Sequence, residues 1–105
     1  MKVIILAAGL GSRLKDLTAN YGKALIKLNG RALIDYALAF TNHKEVTQRI
    51  VIGGFAFQLL EKHIETLNPE RTILVENKDY TSGNIVTLEK AIDYITDDTL
   101  IMNVD

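Results

Sequence analysis

An open, mainly parallel α/β sheet, wound in both directions from its first strand, is the fold class this sequence predicts. Three observations carry it. Four runs rich in Val, Ile and Leu recur with little polar alternation, as for parallel strands covered on both faces. Stretches with apolar residues at every third or fourth position separate them, which is the helix period. A glycine-bearing turn follows the first run directly, at a strand end of the kind where α/β sheets bind ligands.

The first strand is Lys2 to Ala7, and its Val3 to Leu6 stretch reads as buried. A first helix is expected over Ala32 to Phe40, with Leu33, Tyr36, Ala37 and Phe40 on one face. The second strand is Arg49 to Ile52, closed by a turn at Gly53-Gly54. A second helix over Phe57 to Leu67 presents Leu60, Ile64 and Leu67. Asn68-Pro69 ends it, because the residue before proline avoids the helical region. Thr72 to Val75 is the third strand. A third helix is expected over Ile85 to Ile95, through Leu88, Ile92 and Ile95, capped by Ser82 or Asn84. Thr99 to Val104 is the fourth strand. With right-handed crossovers this βαβαβαβ sequence gives the strand order 3-2-1-4. The first and fourth strands are then neighbours, winding reverses between them, and ligands bind at their carboxyl ends.

Bulk properties narrow the function. The chain has 105 residues, one small domain's worth, and 48% of them are apolar, so a packed core is expected rather than disorder. A net charge of −1 argues against a general nucleic-acid or membrane-surface binder. There is no cysteine, which excludes disulfides and thiolate metal sites. No signal peptide is read, and no apolar run approaches the roughly 20 residues that span a bilayer. A soluble cytoplasmic protein, binding neither nucleic acid nor membrane, is the expectation.

The segment Leu6-Ala7-Ala8-Gly9-Leu10-Gly11-Ser12-Arg13-Leu14 carries the chemistry. Gly9 and Gly11 let the backbone turn sharply and approach a ligand without Cβ interference. Successive N–H groups in such a turn converge on an anion, and Arg13 adds a planar donor fork. A phosphate cradle results, with a nucleotide as its expected ligand. The two best-known glycine loops are not matched. The dinucleotide fingerprint needs a third glycine where Leu14 stands, and the P-loop needs Ser or Thr where Ala24 follows Gly22-Lys23.

The pattern resembles instead the nucleotidyltransferase family that makes nucleotide-sugars and related activated phosphate esters. That family opens with a strand, L-A-A-G-x-G-x-R-L, and then P-K-x-L. Here Gly22-Lys23-Ala24-Leu25 stands in the second position, with glycine in place of proline, followed by Asn29-Gly30-Arg31-Ala32-Leu33-Ile34. The resemblance is closest to the bacterial branch that transfers a cytidylyl group to phosphocholine or similar small phosphates. It implies a Rossmann-like nucleotidyltransferase fold. Domains of that family are longer, so residues 1–105 read as the N-terminal, nucleotide-binding half of one.

The resemblance also assigns roles. Leu6, Ala8, Gly9, Gly11, Ser12, Arg13 and Lys23 would bind the nucleotide, with Arg13 also a catalytic candidate on the leaving β and γ phosphates. Ser12 reads as a loop donor and not as a nucleophile, since no histidine lies near it in sequence. Lys23, alone a solvated charge, becomes a catalytic candidate that bridges the reacting phosphates. Asp105, at the end of the fourth strand, is a turn residue or a ligand of Mg²⁺; its position and the resemblance favour the metal. Glu76 to Asn84 is either a polar loop before a helix or the wall of the base site, with Gly83 and Asn84 as its nucleotide contacts. His43 and His63 read as surface residues without partners at metal-ligand spacing, and Asp97-Asp98 as a charged turn. Lys15, Lys27 and Arg31 either extend the basic side of the cleft or are solvated charges, and the second reading is favoured.

The expected reaction is nucleotidyl transfer from a nucleoside triphosphate, CTP favoured, to a small phosphorylated acceptor. A nucleotide-binding module without turnover is the alternative. A dinucleotide-dependent oxidoreductase is disfavoured by Leu14 and Lys23. The fourth strand is expected at a sheet edge, open to self-association.

Overall fold

The computed structural model describes residues 1–8, 23–79, 89, 92–95 and 98–104. Strands β1 (Lys2–Ala7), β4 (Gln48–Gly53), β5 (Thr72–Glu76) and β6 (Thr99–Asn103) form one parallel sheet in the order β5-β4-β1-β6. Counted along these four strands, that is 3-2-1-4. The register runs Leu6↔Ile52 and Leu6↔Asn103 across the centre, and Ala7↔Gly53↔Glu76 at the carboxyl end. Gly53 is thus the last residue of a strand rather than part of a turn. Val104 falls just beyond β6, although it is buried.

Full cover on both faces is confined to the centre. Val3, Ile4, Ile5, Ile50, Val51 and Ile52 are wholly buried. On one face Val3, Ile5, Ala7 and Val51 pack with Ile34, Ala37, Leu38, Leu60 and Ile64; on the other, Ile4, Leu6, Ile50 and Ile52 pack with Val75 and Tyr94. The outer strands differ from the sequence expectation. β5 is half-buried, and Leu100 and Ile101 of β6 are 42% and 43% exposed. Among the described residues each outer strand has a neighbour on one side only, and the helices pack on the middle of the sheet.

Before the first helix comes a hairpin that the sequence reading did not contain. Strands β2 (Lys27–Leu28) and β3 (Arg31–Ala32) pair antiparallel around Asn29-Gly30. Both turn residues have positive φ, 54° and 82°, the conformation that two-residue hairpins require and that Asn-Gly tolerates. Helix α1 (Leu33–Phe40) follows; its Asp35 carboxylate accepts the Ala32 N–H at 3.1 Å and satisfies an orphan donor of the first turn.

The buried stripe of α1 is Ile34, Ala37 and Leu38, not Leu33, Tyr36, Ala37 and Phe40 as expected. Phe40 is 77% exposed. Every residue of α1 except Asp35 is apolar, so spacing alone could not choose the face. Tyr36 instead donates its hydroxyl to the Leu28 carbonyl at 2.6 Å, and the Arg31 guanidinium lies 5.0 Å from its ring centre.

Helix α2 (Phe57–Leu67) has the expected bounds and buries Leu60 and Ile64, while Leu67 is exposed. Asn68 ends it in the left-handed region, its N–H on the Ile64 carbonyl at 2.9 Å. Of the expected third helix, only Glu89, a 3-10 turn at Ile92–Tyr94 and Ile95, which is exposed, fall within the described residues. There Ile92 is exposed and Tyr94, not Ile92, packs on the sheet. Ser82 and Asn84, the expected caps, lie outside the described residues.

Two polar links tie the layers. Arg49 is 4% exposed on the helix-covered face, and donates to the carbonyls of Leu38 and Glu70 at 2.7 Å each. Burial, and then the Arg71 cation, lowers its pKa from the ordinary value, with Glu70 opposing. His63, expected at the surface, is half-buried and lies 2.7 Å from Asp35 across the α1–α2 contact. His43 is exposed as expected.

Candidate active site

Parallel strands leave the sheet at one end, so the ends of β1, β4, β5 and β6 converge there. Leu6 and Ala8 sit at that end, 8% and 3% exposed. The Leu6 carbonyl accepts the Val104 N–H at 3.1 Å, and the Ala8 carbonyl accepts the Phe55 N–H at 3.4 Å. The exit of β1 is therefore held between the exit of β6 and the β4–α2 connection. This is the switch point of the sheet, where neighbouring crossovers diverge and open a crevice.

Gly9, Gly11, Ser12 and Arg13 lie outside the described residues, as do Gly83, Asn84 and Asp105. Lys23 opens a 3-10 turn, Lys23–Leu25, whose Ala24 is buried and whose Leu25 packs on the core. Ile26 then accepts the Leu33 N–H at 2.9 Å. The backbone that carries Lys23 is thus anchored at the start of α1.

A further residue at this end belongs to the Glu76 to Asn84 stretch, in which sequence reading assigned it no role of its own. Asn77 is wholly buried just past β5. Its main-chain N–H donates to the Gly53 carbonyl at 2.7 Å, and its Oδ1 accepts the Asp79 N–H at 2.9 Å. The second bond is an Asx turn. The signal for it, an Asn followed two residues later by a turn-forming Asp, was present in Glu76 to Tyr80.

Beside β6 runs an apolar groove of about 330 Å³, lined by Leu28, Tyr36, Phe40, Met102 and Val104 among others. Among the described residues no three His, Cys, Asp or Glu side chains are grouped to hold a metal ion. No described helix is long and apolar enough to cross a membrane.

The choline-phosphate cytidylyltransferase of Streptococcus pneumoniae is 36% identical over 104 residues, covering 92% of this chain and 44% of that protein. The CTP:phosphoglutamine cytidylyltransferase of Campylobacter jejuni is 30% identical over 86 residues, covering 82% and 33%. The solved CTP:phosphocholine cytidylyltransferase of Streptococcus pneumoniae superposes with a TM-score of 0.82 at 32% identity, over 99% of this chain and 44% of that one. The chain spans less than half the length of each. Its sheet order, its strand–glycine–arginine opening and these likenesses agree with a match of residues 3–105 to the MobA-like NTP transferase domain, and the chain belongs to that family.

Proposed function

We propose that the protein of which this chain is part transfers a nucleotidyl group from a nucleoside triphosphate to a small phosphorylated acceptor. A phosphate oxygen of the acceptor attacks the α-phosphorus. The new P–O bond forms as the bond to the β-phosphate oxygen breaks, and pyrophosphate leaves. The observation that carries this reading is the adjacency of the β1 and β6 exits. The Gly9–Arg13 segment follows one of them directly in the chain, and Asp105 follows the other.

The chemistry needs no nucleophile from the protein. It needs fixed positions and neutralised charge. Backbone N–H groups of the glycine loop and Arg13 would hold the β and γ phosphates of the leaving group. Lys23, a compact ammonium on an anchored turn, would bridge the reacting phosphates. A single carboxylate with phosphate oxygens and water is a donor set that hard, octahedral Mg²⁺ accepts, and Asp105 is the carboxylate proposed to hold it. When bound, the ion neutralises phosphate charge.

CTP is the favoured donor, because both relatives named above are cytidylyltransferases. Their names differ in acceptor, choline phosphate against phosphoglutamine, so the acceptor proposed is a small phosphorylated molecule such as phosphocholine or a sugar phosphate. Gly83 and Asn84 would line the base. A cytoplasmic setting without nucleic-acid or membrane partners completes the proposal; self-association through β6 is proposed for the 105-residue chain on its own. The decisive assay is pyrophosphate release with CTP, Mg²⁺ and phosphocholine. Release that requires all three supports transfer. CTP binding without release under any acceptor would leave a nucleotide-binding module.

A further inference from the structure

Between α1 and the end of α2 lies a cleft of about 340 Å³ with Arg49 in its lining. Arg49 is only 4% exposed, and a charge so buried is as a rule paired with an opposite one. Here its bonds are to neutral groups, one from each Nη, to the carbonyls of Leu38 and Glu70 at 2.7 Å. A guanidinium has five N–H donors, so three remain, the Nε–H among them. Among the described residues no carboxylate forms an ion pair with Arg49. The nearby Arg71 cation adds to the positive field.

The rest of the lining narrows the ligand. The Glu70 carboxylate opposes the lowering of the Arg49 pKa, so its field reaches the guanidinium, yet the two form no ion pair. Asp35, the other acid of the cleft, is already engaged: its oxygens accept the Ala32 N–H at 3.1 Å and face His63 Nε2 at 2.7 Å. Leu38, Leu67 and Pro69 supply apolar wall. A simple anion would neutralise Arg49 but set a second negative charge beside Glu70. A molecule with a carboxylate and an ammonium close together satisfies both residues, and an apolar side chain covers the wall. We propose that this cleft binds a free amino acid with an apolar side chain, its carboxylate on the open N–H groups of Arg49 and its ammonium on Glu70. Carboxylate and guanidinium match as a two-point fork.

This site is separate from the nucleotide crevice. Arg49 is the second residue of β4 and Gly53 the last, so they are about 13 Å apart along the strand at 3.3 Å per residue. The crevice opens beyond the Gly53 end, and the cleft lies at the other.

Three probes with one apolar side chain test the assignment by titration calorimetry on the 105-residue chain. Leucine carries both charges, 4-methylpentanoate lacks the ammonium, and 3-methylbutylamine lacks the carboxylate. Leucine is expected to bind saturably, and each analogue roughly tenfold or more weakly, the loss of one charge-assisted bond. Glu70→Gln, a change at an exposed side chain, should lower leucine to the level of 4-methylpentanoate and leave 4-methylpentanoate no weaker. No saturable leucine binding, 4-methylpentanoate as tight as leucine, or a Glu70→Gln chain that binds leucine as the wild type does would overturn the proposal.

Nuclear magnetic resonance of the wild-type chain locates the ligand without any variant. The Arg49 Nε–H signal is expected to shift with added leucine, with the midpoint that calorimetry gives. A signal that stays in place while leucine binds would put the ligand elsewhere and dismiss the site.

Discussion

Val104 donates its main-chain N–H to the carbonyl of Leu6 at 3.1 Å, and this bond joins the two segments that lead into the proposed site. Asp105 is one peptide beyond Val104, and Gly9 three beyond Leu6. At 3.80 Å per Cα step, neither travels far from that bond. Asp105 is therefore expected within about 12 Å of the Gly9–Arg13 loop, the reach of two side chains and a metal with bonds near 2.1 Å. Asp105→Asn keeps the shape and loses the charge. It should abolish any Mg²⁺ dependence of triphosphate binding. A calorimetric titration in which the variant responds to Mg²⁺ as the wild type does would take Asp105 out of the metal's reach.

Arg13 carries the second prediction. A charge-assisted hydrogen bond contributes about 1.5–3 kcal/mol, so Arg13→Ala should weaken triphosphate binding by roughly tenfold or more. Unchanged affinity by titration calorimetry would exclude Arg13 from the site.

The third prediction concerns packing behind the site. Gly53→Ala places a methyl against Leu60 and Phe57, 2.7 Å from Leu60 Cδ2 and 2.9 Å from Phe57 Cδ1 before any shift. Overpacking of this kind costs about 1–3 kcal/mol. Urea denaturation should show a lower midpoint with an unchanged slope. A variant as stable as the wild type would show that α2 moves away from the strand end without loss.

The strands were legible because each is an apolar run without a competing period. Their order followed from right-handed crossovers and one reversal of winding. Where apolarity is continuous the same signal fails, and the face of α1 was misjudged because only Asp35 breaks the run from Leu33 to Phe40. The hairpin Lys27–Leu28/Arg31–Ala32 has two residues per strand, too few for any period, although Asn29-Gly30 marked its turn. Arg49 and His63 find their partners in segments far away in sequence, Leu38 and Glu70 for the one and Asp35 for the other. No local pattern announces such a partner. At the site itself, the ends of β1 and β6 were brought together on topology alone. The buried role of Asn77 was not, because a polar residue after a strand reads as surface until the structure encloses it.

Arg49 supplies the fourth prediction. Its two Nη groups satisfy the carbonyls of Leu38, in the last turn of α1, and Glu70, in the turn after α2. Arg49→Ala would leave both carbonyls without the guanidinium in a buried setting. A loss of about 2–4 kcal/mol is expected from two charged hydrogen bonds that are not fully additive. Lysine presents one ammonium in place of the fork, so Arg49→Lys should recover only part of the loss. Denaturant midpoints of the two variants check this. Equal stability of wild type and Arg49→Ala would show that water replaces the guanidinium at no cost.

Self-association is the last prediction. Among the described residues β6 has a partner on one side only, β1. Val104 directs its N–H toward β1, and strand groups alternate, so Ile101 and Asn103 direct theirs to the outer edge. An uncharged edge without proline invites another strand, and Thr99 to Val104 contains neither a charge nor a proline. Antiparallel pairing of two copies about Ile101 sets Ile101 against itself, Leu100 against Met102 and Thr99 against Asn103. Apolar meets apolar and polar meets polar, each pair contributing about 0.2–1 kcal/mol. The exposed Leu100, Ile101 and Phe40 side chains lie on or beside this edge, and their cover adds a hydrophobic contribution. The 105-residue chain should therefore scatter light as a dimer or larger species, and should release pyrophosphate poorly, if at all. Ile101→Lys places two like charges at the centre of the pairing and should return the chain to a monomer without unfolding it. A wild-type chain that stays monomeric at every concentration would show that the edge is covered within the chain, and brisk cytidylyl transfer by that monomer would show that these residues suffice for the reaction.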